Sequence, residues 1–325
     1  MFRLPDSWLW DFWLAKDGET YHLFFLYASR ALHEPDRRHL RAGVGHAVST
    51  DLVHWDRVAD AIVRGDAPAF DQTATWTGSV IQGPDGTWSM FYTGTTELPD
   101  GTLRQQVGRA VSTDLYHWVK DERNPLVSAD PRWYEALGGD DPWRDEHWRD
   151  PWVFADPDGD GWHMLITGRA NTGPLDDRGV VAHAYSRDLA DWEVRPPLSG
   201  PDGGFGQLEV FQVENVDGRW VLVFNCVDRE FAAARAQQGG PGGVWVANAE
   251  SALGPYDIAG ATLLSDDRYY VGKLVVDPDG RWVFLAFVNK DENGDFVGDL
   301  TDPIPVGWDG DRLVHRPEPA GSAPR

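Results

Sequence analysis

Long apolar runs are missing from this 325-residue chain, although hydrophobic residues make up 42% of it. No run approaches the roughly 18 apolar residues that span a bilayer, and residues 1–15 lack the basic-then-apolar pattern of a secretory signal. Basic residues are also scarce, because 29 Lys and Arg stand against 52 Asp and Glu, a formal net charge of −23. Such a chain repels nucleic acids and anionic membranes, so we expect a cytoplasmic protein that binds neither and has a neutral ligand.

Cysteine and helical patterns are the other absences. The single cysteine, Cys226, cannot form an internal disulfide and excludes cysteine-based zinc sites. The best helical candidate, EFAAARAQQ at 230–238, is short. DPDGDG at 156–161 has Thr167 where a calcium loop needs a glutamate, and HEPDRRH at 33–39 matches no common zinc spacing. We therefore predict a hairpin turn at the first stretch, a solvated loop at the second, and neither a metal nor a cofactor.

Two interleaved repeats organise the chain instead. AVSTDLVHW, AVSTDLYHW and AYSRDLADW begin at residues 47, 110 and 184. An Asp-Gly turn followed by an aromatic-rich strand recurs five times, beginning at Asp17, Asp85, Asp158, Asp217 and Asp279. Because these starts are 59 to 73 residues apart, five units of similar length fill the whole chain.

Each unit reads as four strands separated by turn residues, most clearly TWTGSVIQ, TWSMFYTG, QQVGRAVS and a short strand from Trp118. Five such units in sequence, without helical crossovers, predict an all-β fold, a five-bladed β-propeller with four-stranded antiparallel blades. We predict one catalytic domain over residues 1–325, with a disordered tail at about 316–325.

The first strand of each propeller blade lies innermost, so residues near the five strand starts converge at one mouth. These residues are Asp11, Trp76, Asp150, Glu209 and Tyr270. Three of them are carboxylates, and crowding in a partly desolvated site spreads the pKa values of such groups. Paired carboxyl groups of this kind carry out glycoside hydrolysis without a metal or cofactor.

These same stretches resemble a known family over nearly the whole chain. WLWDFW, FDQTATWTGSV, WRDPWVF and LEVFQVENVDGRWVLVFNC are similar to successive blocks of the β-fructosidase superfamily, glycoside hydrolase families 32 and 68. The resemblance implies that Asp11 is the nucleophile, Asp150 the transition-state stabiliser and Glu209 the acid/base. It also implies retaining release of a terminal β-fructofuranosyl residue from sucrose or short fructo-oligosaccharides, or its transfer to another sugar.

Several positions depart from the pattern of family 32. That family usually has Asn-Asp-Pro around the nucleophile, a Gln late in the next strand and Glu-Cys-Pro at the acid/base. This chain has Trp10-Asp11-Phe12, Leu26 and Glu209-Val210-Phe211, and its Trp-Asp-x-Trp form is closer to family 68. The chain also ends soon after its fifth unit, so we expect a divergent single-domain member without a C-terminal β-sandwich.

Further residues are predicted to contact the sugar, namely Trp10, Trp76, Arg149, Ser79 and Tyr270. The tryptophans would stack on sugar rings, and the Arg149 guanidinium would donate to vicinal hydroxyls. Pairing with Arg149 is also predicted to keep Asp150 ionised. Long connections are expected to form a rim suited to short, neutral oligosaccharides, at 28–43, 95–105, 123–148 and 228–243.

Two alternatives remain open from the sequence. An inverting arabinofuranosidase or xylosidase of the family 43 type would use the same order of acids, with Asp11 as the base. Carboxyl separation distinguishes the two mechanisms, at roughly 5 Å for retention and roughly 6.5–9.5 Å for inversion. A non-catalytic sugar-binding propeller is the second alternative, and the presence of all three acids argues against it.

Overall fold

The computed structural model describes residues 1–138 and 142–316, which form five antiparallel sheets in chain order. Blade 1 contains β1 (Ser7–Asp17), β2 (Thr20–Ser29), β3 (Gly43–Ser49) and β4 (Asp56–Arg57). Blade 2 contains β5 (Ala74–Gln82), β6 (Trp88–Glu97), β7 (Leu103–Ser112) and β8 (Val119–Lys120). Blade 3 contains β9 (Trp148–Ala155), β10 (Trp162–Arg169), β11 (Gly179–Ser186) and β12 (Trp192–Arg195).

Blade 4 contains β13 (Glu209–Val216), β14 (Arg219–Cys226), β15 (Gly243–Ala249) and β16 (Thr262–Asp266). Blade 5 contains β17 (Tyr269–Val276), β18 (Trp282–Lys290), β19 (Phe296–Leu300), β20 (Ile304–Asp309) and β21 (Arg312–His315). β19 and β20 both pair with β18, so the third strand of this blade is interrupted. The other four blades are unbroken four-stranded meanders.

The first strands of the five blades, β1, β5, β9, β13 and β17, contact one another in a closed ring. We call them the inner strands. Each blade then runs outward from its inner strand, and apolar clusters fill the spaces between neighbouring blades. The predicted all-β five-bladed propeller is confirmed, because every blade has the predicted meander order.

Helical segments are short throughout the described ranges. α1 (Ala233–Ala236) lies inside the stretch that the sequence marked as its best helical candidate. Four 3₁₀ segments join strands, at Arg30–Leu32, Pro35–Arg41, Leu175–Asp177 and Asp228–Glu230. None of the helices described is long and apolar enough to cross a membrane.

The AVSTDL repeat has a structural role, because it forms the turn between the third and fourth strands of a blade. In its first copy the Ser49 hydroxyl accepts the amide of Leu52 at 2.9 Å, and the Asp51 carboxylate accepts the amide of His54 at 2.8 Å. The second copy repeats both bonds from Ser112 and Asp114. These local side-chain acceptors explain why the motif recurs at turns.

The ring closes between the ends of the described chain. Phe2 and Leu300 exchange backbone hydrogen bonds at 3.1 and 2.9 Å, which joins the N-terminal segment to blade 5. Of the tail predicted at about 316–325, the structure describes Arg316, whose amide donates to the Pro305 carbonyl at 2.7 Å. Residues 317–325 of that prediction lie outside the described residues.

Candidate active site

Every inner strand is irregular near its start, where regular pairing with the second strand shifts. The shifts fall at Trp10/Phe12 in β1, Trp76/Gly78 in β5, Glu209/Gln212 in β13 and Tyr270/Lys273 in β17, and opposite Leu165/Thr167 in β9. Asp150, Val210 and Val271 adopt positive φ angles of 58°, 53° and 49° at these irregularities. Bulges of this kind re-aim side chains, so five strands present residues to the axis.

A cavity of about 780 Å³ opens on the axis at this level. Its lining includes one predicted residue from each inner strand, namely Asp11, Trp76, Asp150, Glu209 and Tyr270. Trp10 and Arg149 line it as well. The size lies within the ~300–1,000 Å³ typical of small-molecule sites. The structure therefore brings together the predicted carboxylates and all but one of the predicted sugar contacts.

Ser79 is the exception, because the structure does not place this predicted substrate contact in the cavity lining. Ser79 follows Thr77 by two positions in β5. Thr77 lines the cavity, whereas Ser79 is buried and only 1% exposed. The Ser79 hydroxyl accepts the amide of Val153 at 3.1 Å, which ties β5 to β9 below the cavity. The strand start was identified correctly, but the bulge before Gly78 determines which side chain faces the axis.

Asp11 projects into the cavity from the bulge of β1. The hydroxyl of Thr77, on the neighbouring inner strand, donates to Asp11 Oδ2. Burial raises the pKa of the Asp11 carboxyl, and the charge of Glu209 adds to this rise. The Thr77 hydrogen bond and the Arg38 guanidinium both oppose it by stabilising the ionised form.

Asp150 differs from the sequence-based prediction. Burial raises the pKa of Asp150 to about 7, and although Arg149 opposes this rise it does not overcome it. The reason is geometric, since Arg149 Nε stands 3.3 Å from Asp150 Oδ2 while its Nη2 donates to Glu209 Oε1 at 2.5 Å. Arg149 is therefore shared between two carboxylates rather than devoted to its neighbour.

Both oxygens of Glu209 are held in place. Arg149 donates to Oε1, and the hydroxyl of Tyr270 donates to Oε2 at 2.5 Å. The same Arg149 Nη2 also donates to Gln207 Oε1 at 2.5 Å. These contacts assign Arg149 and Tyr270 a definite function in the site, which is to orient the Glu209 carboxyl toward the axis.

Polar residues on second strands anchor the bulges of two blades at once. Thr93 on β6 donates to the Thr77 carbonyl at 3.0 Å and accepts the Asp150 amide at 2.8 Å. Thr167 on β10 donates to Asp150 Oδ2 at 2.9 Å and accepts the Val210 amide at 3.1 Å. The irregular backbone is thus satisfied by hydroxyls from the neighbouring blade.

Asn225 on β14 continues this pattern toward blade 5. Its amide donates to the Glu209 carbonyl at 3.1 Å, and its Oδ1 accepts the Gly272 amide at 3.3 Å. The equivalent positions of blades 1 and 5 are Leu26 and Phe287, which pair with Trp10 and Tyr270 and face the cavity. The sequence analysis did not identify Thr93, Thr167 and Asn225, although a polar residue that recurs at one position of the second strand was a visible signal.

Aromatic rings form one wall of the cavity. Trp10 and Trp76 both contact His39, with ring centroids 6.1 and 6.3 Å away, and Trp76 Nε1 donates to the His39 carbonyl at 2.7 Å. Arg38 lies 5.5 Å from the centroid of the Trp10 ring. The prediction that 33–39 is a solvated loop is therefore wrong at Arg38, which is only 8% exposed, while His39 and most of the stretch are exposed.

Two other predicted rim connections also reach the cavity, and they contribute Trp143, Asp145, His147, Asp228, Arg229 and Glu230. The predicted 95–105 segment contributes only Gln105, which lies on β7. Burial and the charge of Glu209 raise the pKa of Glu230 to about 7. Periodicity could not identify these residues, because rim connections have no repeating pattern. Residues 139–141 of the predicted 123–148 segment lie outside the described residues.

Comparison with known proteins agrees with this geometry. The sequence model of the Glycosyl hydrolases family 32 N-terminal domain matches residues 12–301. The chain belongs to glycosyl hydrolase family 32. Beta-fructofuranosidase 1 of Zea mays is 27% identical to this family 32 chain over 64% of the chain and 29% of its own length. An extracellular sucrase of Zymomonas mobilis is 26% identical, over 63% of the chain and 58% of its own length.

The family 32 chain thus spans less than two thirds of these relatives' lengths. Among solved structures, an inulosucrase from Halalkalicoccus jeotgali bound to kestose has a TM-score of 0.76 and 22% identity. That match covers 96% of this chain and 87% of the other. A Bombyx mori GH32 beta-fructofuranosidase has a TM-score of 0.71 and 19% identity, covering 97% and 64% of the two chains. These likenesses show the shared propeller fold.

Proposed function

We propose that this chain cleaves a terminal β-fructofuranosyl residue from sucrose or short fructo-oligosaccharides, with retention of configuration. One observation carries the proposal: Asp11, Asp150 and Glu209 come from three inner strands and line a single cavity. The names of the relatives support the substrate class, since they include beta-fructofuranosidases and a sucrase.

In the first step, Asp11 attacks the anomeric carbon while Glu209 gives its proton to the glycosidic oxygen. The bond between carbon and leaving oxygen breaks, a covalent fructosyl ester forms on Asp11, and the alcohol departs. In the second step, the Glu209 carboxylate removes a proton from water, whose oxygen displaces Asp11 from the same carbon. Two inversions give net retention.

Asp150 binds rather than reacts in this scheme. Its carboxyl accepts from Thr167 and stands beside Arg149, so it is fixed at the axis where sugar hydroxyls would lie. Hydrogen bonds to those hydroxyls strengthen as positive charge develops on the ring. Trp10 and Trp76 supply the apolar wall against which the sugar would pack.

The charge of the cavity favours a neutral substrate. Its acidic residues are Asp11, Asp36, Asp145, Asp150, Glu209, Asp228, Glu230 and Asp267, and its basic residues are Arg38, Arg149, Arg229 and Lys290. Because acids outnumber bases, a phosphorylated sugar would meet net repulsion. The closed axis and bulky rim favour the end of a short oligosaccharide over the middle of a polymer.

The test is a substrate panel of sucrose, a fructosyl trisaccharide, levan and aryl arabinofuranosides, with released sugars measured by chromatography. We expect release of fructose from the first two and loss of at least about 10⁴-fold in Asp11→Asn. Asp130→Asn, at an exposed turn pair with Arg132, is the matched control and keeps full activity. Cleavage of arabinofuranosides alone would favour the inverting alternative, and sugar binding without turnover would favour a lectin.

The acid/base assignment has its own prediction. Glu209→Ala is expected to lose activity on sucrose but to retain most glycosidic cleavage of an aryl β-fructofuranoside, whose leaving group needs little protonation. The pre-steady-state burst of released leaving group measures the first step on both substrates, because the second step needs Glu209 whatever the leaving group, and NMR of the first-formed anomer checks retention. Equal losses on both substrates would show that Glu209 is not the acid.

A further inference from the structure

A buried lysine lies beneath the cavity and is not needed by the mechanism above. Lys273, on the inner strand β17, is 2% exposed and does not belong to the cavity lining. Its Nζ donates to the Phe211 carbonyl of β13 at 2.9 Å and stands 5.0 Å from the centroid of the Trp152 ring of β9. The ammonium is therefore enclosed between three inner strands, next to residues that stand two positions beyond Glu209 in β13 and Asp150 in β9.

The charges that face this ammonium are all acidic. β1 contributes Asp11, β9 contributes Asp150 and β13 contributes Glu214, and each of the three stabilises the charged form of Lys273. The other strands packed against β17 carry charged residues only at their ends, namely Arg219 of β14, Asp266 of β16 and Lys290 of β18. Burial lowers the pKa of Lys273 to about 7 in spite of the three carboxylates.

Burying a cation is costly even when carboxylates surround it, so the position of Lys273 near Asp11 and Asp150 calls for an explanation. Asp11 and Asp150 must be ionised in the proposed reaction, yet both are buried. The charge of Glu209 repels that of Asp11, and the charges of Asp11 and Glu209 both repel that of Asp150. Arg149 is shared with Glu209, and Arg38, which lowers the pKa of Asp11, belongs to the cavity lining.

We propose that Lys273 is a positioning residue for this site, whose ammonium stabilises the ionised forms of Asp11 and Asp150 from beneath the cavity. The inference rests on the proposed function, because ionised Asp11 is the nucleophile in that scheme. Lys273 touches no substrate atom in this arrangement. Lys273 acts on the reaction only by favouring the ionised forms of the Asp11 and Asp150 carboxyls.

The test is Lys273→Met, which keeps the length of the side chain and removes its charge. We expect the acidic limb of the pH profile of kcat/KM on sucrose to move upward by about one pH unit, a roughly tenfold loss below that limb. Stability should change little or increase, because replacing a buried charge by an apolar side chain of similar volume is often favourable.

Two further variants separate charge from packing. Lys273→Gln keeps a donor for the Phe211 carbonyl without a charge, so it should shift the limb as Lys273→Met does. The matched control is Lys120→Met in blade 2. Like Lys273, Lys120 donates to a backbone carbonyl, that of Val63, and it also pairs with the buried carboxylate of Asp71, which is not part of the site. Lys120→Met should lose stability and keep the wild-type pH profile.

A second readout does not depend on turnover. The Asp11 carboxyl can be followed by ¹³C NMR titration, with its signal assigned by its loss in Asp11→Asn. We expect its pKa to be higher in Lys273→Met and Lys273→Gln than in the wild type. An unchanged Asp11 titration in the folded variants overturns the inference. If the wild type cleaves no fructoside, the proposed function fails, and the NMR titration still decides whether Lys273 acts on Asp11.

Discussion

At the scale of single residues, Asp150 illustrates how burial can outweigh a neighbouring charge. The sequence places Arg149 beside it and predicts an ionised carboxylate. In the fold the Asp150 carboxyl is 5% exposed, and its guanidinium neighbour is divided between Asp150 and Glu209. Because the pKa of Asp150 is about 7, the folded protein keeps a proton on this carboxyl between about pH 4 and pH 7. The unfolded chain has lost that proton over the same range.

A stability difference follows from this shift. Between about pH 4 and pH 7 the folded state binds more protons at Asp150 than the unfolded state, so the free energy of unfolding falls as the pH rises. Asp150→Asn removes this penalty, so we expect it to be about 1–3 kcal/mol more stable than the wild type at pH 7.5 and equally stable near pH 4. Activity should fall at least about 100-fold, because the sugar hydroxyls lose their acceptor. Denaturant unfolding at both pH values measures the stability difference.

The control for that prediction is a carboxylate with the opposite shift. Burial acts to raise the pKa of Asp51, but hydrogen bonds from His54 and its neighbours lower it well below its usual range. Asp51→Asn should therefore be less stable than the wild type at pH 7.5. A stability gain in Asp150→Asn that is the same at pH 4 and pH 7.5 would contradict the titration argument.

At the scale of elements, the bulges of the inner strands direct neighbouring side chains toward the same cavity. A regular strand would send alternate side chains to opposite faces and could not direct both Trp10 and Asp11 toward one cavity. The bulge after Trp10 makes this possible. The hydroxyls of Thr93 and Thr167 then hold two such bulges across the blade boundary.

Thr167→Val tests this arrangement. The change leaves the Val210 amide buried without its acceptor and removes a donor from Asp150, so we expect a loss of about 1–3 kcal/mol in the free energy of unfolding. We also expect a clear fall in kcat, because the Asp150 carboxyl is no longer held. Thermal unfolding and steady-state kinetics are the measurements.

Thr95→Val is the matched control in blade 2. Thr95 is also fully buried, and its hydroxyl donates to the Ala74 carbonyl at 3.3 Å without touching a catalytic carboxylate. This variant should be destabilised with kcat nearly unchanged. If both variants lose kcat equally, the Thr167 contact has no special part in the site.

At the scale of the whole molecule, the ring depends on the contact between the N-terminal segment and blade 5. Arg3 donates through Nε to Asp299 Oδ2 at 2.7 Å, and Asp299 is fully buried beside the Phe2–Leu300 bridge. Arg30 approaches the same carboxylate at 3.7 Å. Loss of this contact would release the inner strand that carries Asp11, so we expect ring closure to affect the arrangement of the cavity.

Arg3→Ala is expected to lower the free energy of unfolding by about 1 kcal/mol, because a buried carboxylate loses its closest cation while the arginine itself is largely exposed. Arg132→Ala is the control, since its pair with Asp130 is local and exposed and should contribute a few tenths of a kcal/mol at most. Denaturant unfolding of both variants provides the comparison. Equal effects would show that the seam is not stabilised by this pair.

The blade count, the strand order and the meeting of Asp11, Asp150 and Glu209 could be predicted from the amino-acid sequence, because these features follow from local patterns. Turn motifs and alternating apolar strands are properties of neighbouring residues, and a propeller repeats them. Once five inner strands are known to run side by side, the residues at their starts must meet. Asp11, Asp150 and Glu209 could therefore be identified without coordinates.

Only the tertiary structure decided which side chains face the axis and what surrounds them. The bulge between Trp76 and Gly78 places Thr77 at the cavity, whereas Ser79 is buried against β9. Arg38 reaches the cavity from an aperiodic connection, and Lys273 lies beneath it as one residue in an otherwise apolar strand. Burial and the sharing of Arg149 depend on contacts between residues far apart in the chain, and such contacts leave no local pattern in the sequence.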